Sequence, residues 1–105
     1  MSDQQQNQQQ EDDKKFFEYT DTFIDLANKH ESSNQGAPQL VGASLMFAAA
    51  RYNAFLVART HEEKAGFESK KEEAIAYFSE QFTKMLTDNW ADYCNYFDQY
   101  RNNQK

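Results

Sequence analysis

The sequence predicts an all-α protein, an up-down-up three-helix bundle with a long C-terminal helix and a disordered N-terminal tail. Apolar residues recur at helical spacing in three segments of the 105-residue chain. Turn-forming residues, the run 32–36 and Gly66, separate these segments. Residues 1–12 lack such a pattern altogether. We therefore expect one helical domain over residues 13–101, since 105 residues leave room for a single domain.

The predicted tail is rich in glutamine. Gln4–Gln6 and Gln8–Gln10 surround Asn7, and no apolar residue follows Met1. Such a segment cannot offset its ordering entropy by burial, so we expect disorder up to about residue 12.

The first helix is predicted at about residues 13–31. At 100° per residue its apolar side chains share one face and its charged ones lie opposite, the pattern of a helix packed on one side. The apolar face holds Phe16, Phe17, Thr20, Phe23, Ile24 and Ala27, and the polar face holds Glu18, Asp21, Asp25 and Lys29.

The second helix, about residues 38–63, is apolar on all sides. Pro38 suits its first turn, where the missing N–H costs nothing. Because a helix apolar all round is buried all round, either the first and third helices flank it or a second copy of the chain covers one side.

The third helix is predicted at about residues 69–100. Gly66 would stop the preceding helix, and Ser69 and Glu72 have the spacing of a capping box. An apolar stripe keeps one phase to Tyr100, and the end of this helix would extend beyond the shorter two. A partner chain would cover the overhang, or a fold-back around 87–89 would hide it. The overhanging aromatic residues are Trp90, Tyr93, Tyr96, Phe97 and Tyr100.

Charge and composition exclude several functions. The net charge of −6 disfavours nucleic acid as a partner, since nucleic-acid binding depends on Lys and Arg. The longest uninterrupted apolar run, Leu45–Ala50, is far shorter than the roughly 20 residues that span a bilayer, so no membrane span is expected. The N-terminus lacks the pattern of a signal peptide, and the lone Cys94 fits a reducing cytoplasm.

No set of residues predicts catalysis, a metal or a cofactor. His30 and His61 each stand at a helix end without the further ligands that zinc requires, so we interpret both as solvated. Cys94 has no cation beside it to lower its pKa. The protein is therefore predicted not to be an enzyme.

Arg51 and Asn53 are the most informative polar residues, because they interrupt the apolar second helix. A buried Arg needs a carboxylate partner, so the favoured interpretation is a structural ion pair with a neighbouring helix, with Asn53 hydrogen-bonded across the packing seam. The alternative is that Arg51, with Ser44 about two turns earlier on the same face, receives a carboxylate from a ligand or partner.

Three stretches carry a resemblance to a known family. They are Val41–Phe55, Glu73–Phe78 and Phe82–Leu86. Over about residues 16–100 the chain resembles a family of small proteobacterial proteins known only as a domain of unknown function. The resemblance implies a bacterial, cytoplasmic helical protein and brings no activity, ligand or catalytic residue.

Excess apolar helix surface is typical of association, so the sequence predicts a protein–protein interaction or adaptor module acting as a homodimer. The runner-up is a small-ligand binding protein with an aromatic-lined pocket gated by Arg51. Neither hypothesis names the partner or the ligand.

Overall fold

The computed structural model describes residues 2–33 and 37–103, and every regular element in that part of the chain is an α-helix. This confirms the predicted all-α class. The helices are α1 (Ser2–Ser33), α2 (Pro38–Ala58), α3 (Lys64–Ser69), α4 (Lys71–Asn95) and α5 (Phe97–Asn103). The chain divides into two units, Met1–Leu56 and Val57–Lys105. The predicted turn residues 34–36 lie outside the described residues.

α1 begins at Ser2, where a disordered tail was predicted, so the domain boundary expected after residue 12 falls inside a helix. Local hydrogen bonds explain the difference. Gln8 Nε2 donates to Asp12 Oδ1 at 3.0 Å, and Gln9 Nε2 donates to Asp13 Oδ1 at 2.9 Å. Gln is a good helix former, and such i,i+4 pairs stabilise a helix without any burial.

α2 begins at Pro38 as predicted and ends at Ala58, five residues earlier than expected. The Val57 carbonyl explains the early end, because it accepts from both the backbone N–H and the side-chain hydroxyl of Thr60, at 3.1 and 2.7 Å. The Ala58 carbonyl accepts from the His61 N–H at 3.1 Å. These i,i+3 bonds satisfy the last carbonyls and close the helix.

The capping box predicted at Ser69 does not form. Gly66 lies inside α3, and the Ser69 hydroxyl donates backwards to the Gly66 carbonyl at 2.7 Å. The residue before α4 is Lys70, which has an αR backbone (φ −93°, ψ −3°) and makes no side-chain cap. A serine hydroxyl bonded to the preceding turn cannot cap the next one, so α4 starts two residues later than predicted.

α4 runs unbroken through 87–89, where a fold-back had been considered, and ends at Asn95. Within 87–89, the Asn89 Nδ2 donates to the Met85 carbonyl at 2.8 Å. The break falls instead at Tyr96 (φ −119°, ψ 27°), whose N–H donates to the Asp92 carbonyl at 3.2 Å. The long helix predicted for 69–100 is therefore α4 and α5, joined through one non-helical residue.

None of the described residues is buried. In the first unit, α1 and α2 do not pack along one another. In the second unit, α4 contacts α3 and α5 only near its two ends. The up-down-up arrangement stays a prediction.

Candidate functional site: the surface of α2

α2 is the most apolar element of the described chain, and it is uncovered. It contains no Asp or Glu and a single cation, Arg51. None of its residues is buried, and several of its large apolar side chains are exposed. The exposed set is Leu40, Leu45, Met46, Phe47, Tyr52 and Phe55.

By length and composition alone, α2 could cross a membrane: it has 21 residues and a mean hydropathy of 1.4 in its most apolar window. The prediction that no segment could do so relied on the longest uninterrupted apolar run. That argument is too strict, because Gly42 and Ser44 are small and uncharged and Arg51 is the single charge of α2. A buried core helix would also pass this test of length and composition, but α2 is exposed.

The two sides of α2 differ in exposure. At 100° per residue, Leu40, Ser44, Phe47 and Phe55 lie within about 40° of Arg51, and we call these five residues the Arg51 face. Phe47 and Leu40 are 68% and 66% exposed, more than any other large apolar residue of the helix.

Exposure is not confined to the Arg51 face. About 80–140° away from Arg51, Val41 and Leu56 are half-buried and Leu45 is 39% exposed, but Tyr52 on that side is 59% exposed.

Arg51 and Asn53 do not behave alike. Arg51 is exposed and forms no ion pair with any described carboxylate. The Asn53 Nδ2 donates to the Ala49 carbonyl of its own helix at 2.8 Å. This amide was predicted to bond across a packing seam, and it instead bonds within α2. Ser44 shares the Arg51 face, as predicted from its spacing, and is also exposed. Among the described residues, the structural ion pair predicted for Arg51 is not formed.

The aromatic residues predicted to overhang are partly drawn together by the break at Tyr96. The rings of Tyr93 and Tyr100 lie 4.4 Å apart between centroids, and the Tyr100 hydroxyl donates to Asp92 Oδ2 at 3.1 Å. This hydrogen bond, which favours the neutral hydroxyl, raises the pKa of Tyr100 above 10.0. Trp90, which is 68% exposed, takes no part in this cluster.

Tyr96 and Phe97 also remain exposed. The role of Asp92 was not predicted, and its four- and eight-residue spacings to Tyr96 and Tyr100 were the signal that could have shown it.

His61 was interpreted as solvated, and the structure corrects this. The side chain is half-buried: its Nδ1 lies 3.1 Å from the Val57 carbonyl, and its ring faces that of Phe67 at 6.2 Å between centroids. Gly66 leaves the room for this, since a Cβ there would lie 3.2 Å from His61 Cδ2. The His61 side chain therefore stabilises the turn between α2 and α3.

No cluster of possible metal ligands lies among the described residues. No three His, Cys, Asp or Glu side chains there come close enough together to hold a metal ion. Cys94 is exposed, and an open depression runs along residues 94–99. Arg51 does not line this depression, so it is not the aromatic pocket with Arg51 at its mouth that the sequence left as an alternative.

The chain is similar to a protein of solved structure, the NMR structure of the protein NB7890A from Shewanella sp.. The two are 36% identical, the match covers 86% of this chain and 94% of the Shewanella chain, and the TM-score is 0.70. No curated protein matches the sequence. The family model described as "Protein of unknown function (DUF3144)" matches residues 16–94, which include α2 and nearly all of α4. The match covers most of the sequence, and the chain therefore belongs to this bacterial-type helical family.

Proposed function

We propose that this protein is a non-enzymatic protein–protein interaction module that acts as a homodimer, with an adaptor role in the bacterial cytoplasm. The observation that carries the proposal is the exposure of α2, a 21-residue helix that is apolar on all sides and has no buried residue. Exposed apolar surface of this extent marks an association site, because water disfavours it by about 25 cal/mol per Å².

The exposed side chains of α2 support a second chain as the cover. Phe47 and Leu40 are about two-thirds exposed, and contact with a second copy would remove them from water.

A membrane is a poorer cover for α2 than a second chain. Arg51 lies three residues from the middle of the helix, about 5 Å along its axis. A charged side chain at that depth in a bilayer costs about 2.5–3.5 kcal/mol on insertion scales, and more in simulations. A protein partner can instead supply a carboxylate, so the position of Arg51 favours association with protein.

A ligand-binding function has less support. It requires an enclosed aromatic pocket with Arg51 at its mouth, whereas Arg51 lies on an exposed helix face and does not line the depression at residues 94–99.

Sedimentation equilibrium between about 1 and 100 µM tests the homodimer, because the dissociation constant of a specific dimer commonly falls within or below this range. We expect twice the monomer mass of 12.3 kDa at the upper end. A strict monomer at 100 µM would overturn the homodimer. Flotation with lipid vesicles, run on the same preparation, separates the membrane alternative: the proposal expects the protein to stay out of the vesicle fraction.

A further inference from the structure

The break between α4 and α5 interrupts the backbone hydrogen bonding of the C-terminal helix. Across the break, the Tyr96 N–H donates to the Asp92 carbonyl and the Tyr100 N–H donates to the Tyr96 carbonyl, at 3.2 and 3.1 Å. Within the described residues, no backbone hydrogen bond joins the amides of residues 97–99 to the carbonyls of residues 93–95. An uninterrupted helix would form all three, because each amide donates to the carbonyl four residues earlier. The bend therefore leaves three helical hydrogen bonds unmade.

Side-chain contacts across the break take the place of these bonds. The rings of Tyr93 and Tyr100 lie 4.4 Å apart between centroids, and the Tyr100 hydroxyl donates to Asp92 Oδ2 at 3.1 Å. We call these three residues the tyrosine clasp. In a straight helix, seven residues rise about 10 Å and eight rise about 12 Å, which would carry the Tyr100 ring away from both partners. The clasp and the three backbone hydrogen bonds therefore exclude one another.

The sequence pattern of this region fits a straight helix. At 100° per residue, five apolar residues of α4 and α5 fall within about 60° of one direction. They are Phe82, Leu86, Tyr93, Phe97 and Tyr100. In one uninterrupted helix they would form a continuous apolar stripe, and the bend shortens this stripe by drawing the Tyr100 ring back onto Tyr93.

The backbone at the break can adopt either arrangement. Tyr96 has a negative φ of −119°, which is ordinary for any residue. No Gly or Pro follows Gly66 in the sequence, so none of the residues that fix a kink is present here. Only the tyrosine clasp opposes the straight helix.

We propose that Tyr96 is a hinge between two arrangements of the C-terminal helix. In the bent arrangement the tyrosine clasp is closed. In the straight arrangement α4 and α5 form a single helix, and the apolar stripe of α4 runs on to Tyr100. An aromatic pair and a hydrogen bond contribute free energies of the same order as a few backbone hydrogen bonds, so the two arrangements lie close to balance. Opening the clasp shifts the population to the straight helix and lengthens the stripe.

Tyr100→Phe tests the hinge, because it removes the hydrogen bond to Asp92 and keeps the aromatic ring. Amide hydrogen exchange of the full chain, followed by NMR at neutral pH, is the measurement. In the wild type, the amides of residues 97–99 should exchange nearly as fast as in an unfolded chain, and NOEs should join the rings of Tyr93 and Tyr100. In Tyr100→Phe, the protection of these three amides should rise about threefold or more, because each gains an acceptor in the straight helix.

Two variants of α4 are the controls. Asp92→Asn keeps a side-chain oxygen that can accept from Tyr100, so its exchange should match that of the wild type. Asp92→Ala should reproduce the effect of Tyr100→Phe, whereas Asp88→Ala, the same change one turn earlier on α4, should leave residues 97–99 unprotected.

The hinge is overturned if residues 97–99 are already protected in the wild type or if the Tyr93–Tyr100 NOEs are absent. It is also overturned if Tyr100→Phe leaves the exchange of residues 97–99 unchanged, if residues 101–103 lose protection because α5 frays, or if Asp88→Ala protects residues 97–99 equally. All these signals arise within α4 and α5 of one chain, so they do not depend on the homodimer proposed above.

Discussion

Two neighbouring regions differ in how their side chains are satisfied: those of the turn between α2 and α3 contact one another, whereas those of α2 are exposed to solvent. In the turn, the Val57 carbonyl accepts a hydrogen bond from Thr60 and lies within hydrogen-bond distance of the His61 ring. The His61 ring lies against Phe67, and the Ser69 hydroxyl donates to the Gly66 carbonyl. All these partners lie within a few residues of one another. α2 forms its backbone hydrogen bonds but leaves its side chains in solvent. The interactions between residues close in sequence are formed within one chain, whereas the apolar side chains of α2 remain exposed.

The largest expected effect is the loss of stability caused by a substitution on α2, and it tests whether the exposed side chains of this helix become covered. Phe47→Asp should destabilise the proposed homodimer by about 3–5 kcal/mol, because a second copy would cover the Phe47 ring and a carboxylate would be forced into the same space. Urea denaturation at fixed protein concentration measures it. Tyr77→Asp is the matched control, since Tyr77 is similarly exposed but lies opposite the apolar stripe of α4, and should cost under about 1 kcal/mol. Equal losses for the two variants would mean that α2 stays in solvent.

A smaller effect on stability is expected for Gly→Ala substitutions, one in α2 and one beside His61. In Gly42→Ala the new Cβ meets nothing within 4 Å, so the variant should gain about 1 kcal/mol from helix propensity. Gly66→Ala should gain less, because its Cβ would lie 3.2 Å from His61 Cδ2. In a His61→Ala background, Gly66→Ala should gain nearly as much as Gly42→Ala. Thermal denaturation of the four variants measures the coupling, and identical gains for Gly66→Ala in both backgrounds would show that His61 does not restrict this site.

The smallest effect concerns α5. The hydrogen bond to Asp92 raises the pKa of Tyr100 in the folded state, so its stabilisation is complete below the unfolded pKa of 10.0 and is lost as the pH rises through the folded value. Tyr100→Phe should remove the tyrosine that ionises latest in an absorbance titration, while Tyr77→Phe leaves it in place. A late transition that persists in Tyr100→Phe would contradict the assignment.

Sequence reasoning predicted the helical class, the start of α2 at Pro38 and the apolar surface of α2 on all sides. These follow from periodicity and from the fixed φ of proline, which depend on residues close in sequence. It did not predict where α2 ends, that α3 forms, or where α4 begins. Ser69 and Thr60 each had two possible hydrogen-bonding roles, and only the backbone conformation decides which role a hydroxyl takes.

The candidate site was predictable in its residues but not in its contacts. Arg51 and Ser44 share a face because of their spacing, which the sequence contains. Asn53 bonds within its own helix, an option that the amide always has and that spacing alone cannot exclude. The pairing of Tyr100 with Tyr93 depends on the break at Tyr96, and no Gly or Pro marks that position. The direction in which the aromatic side chains after Asn95 point could therefore not be predicted from the sequence.

The short sequence separation of nearly all contacts in the described structure has a consequence for the order of events in folding. Helices and local turns of this kind form in about microseconds, without waiting for distant parts of the chain to meet. In the proposed homodimer, the step that covers α2 is a collision between already helical chains, with a rate that grows with protein concentration. Until that collision, the apolar side chains of α2 would be open to off-pathway association.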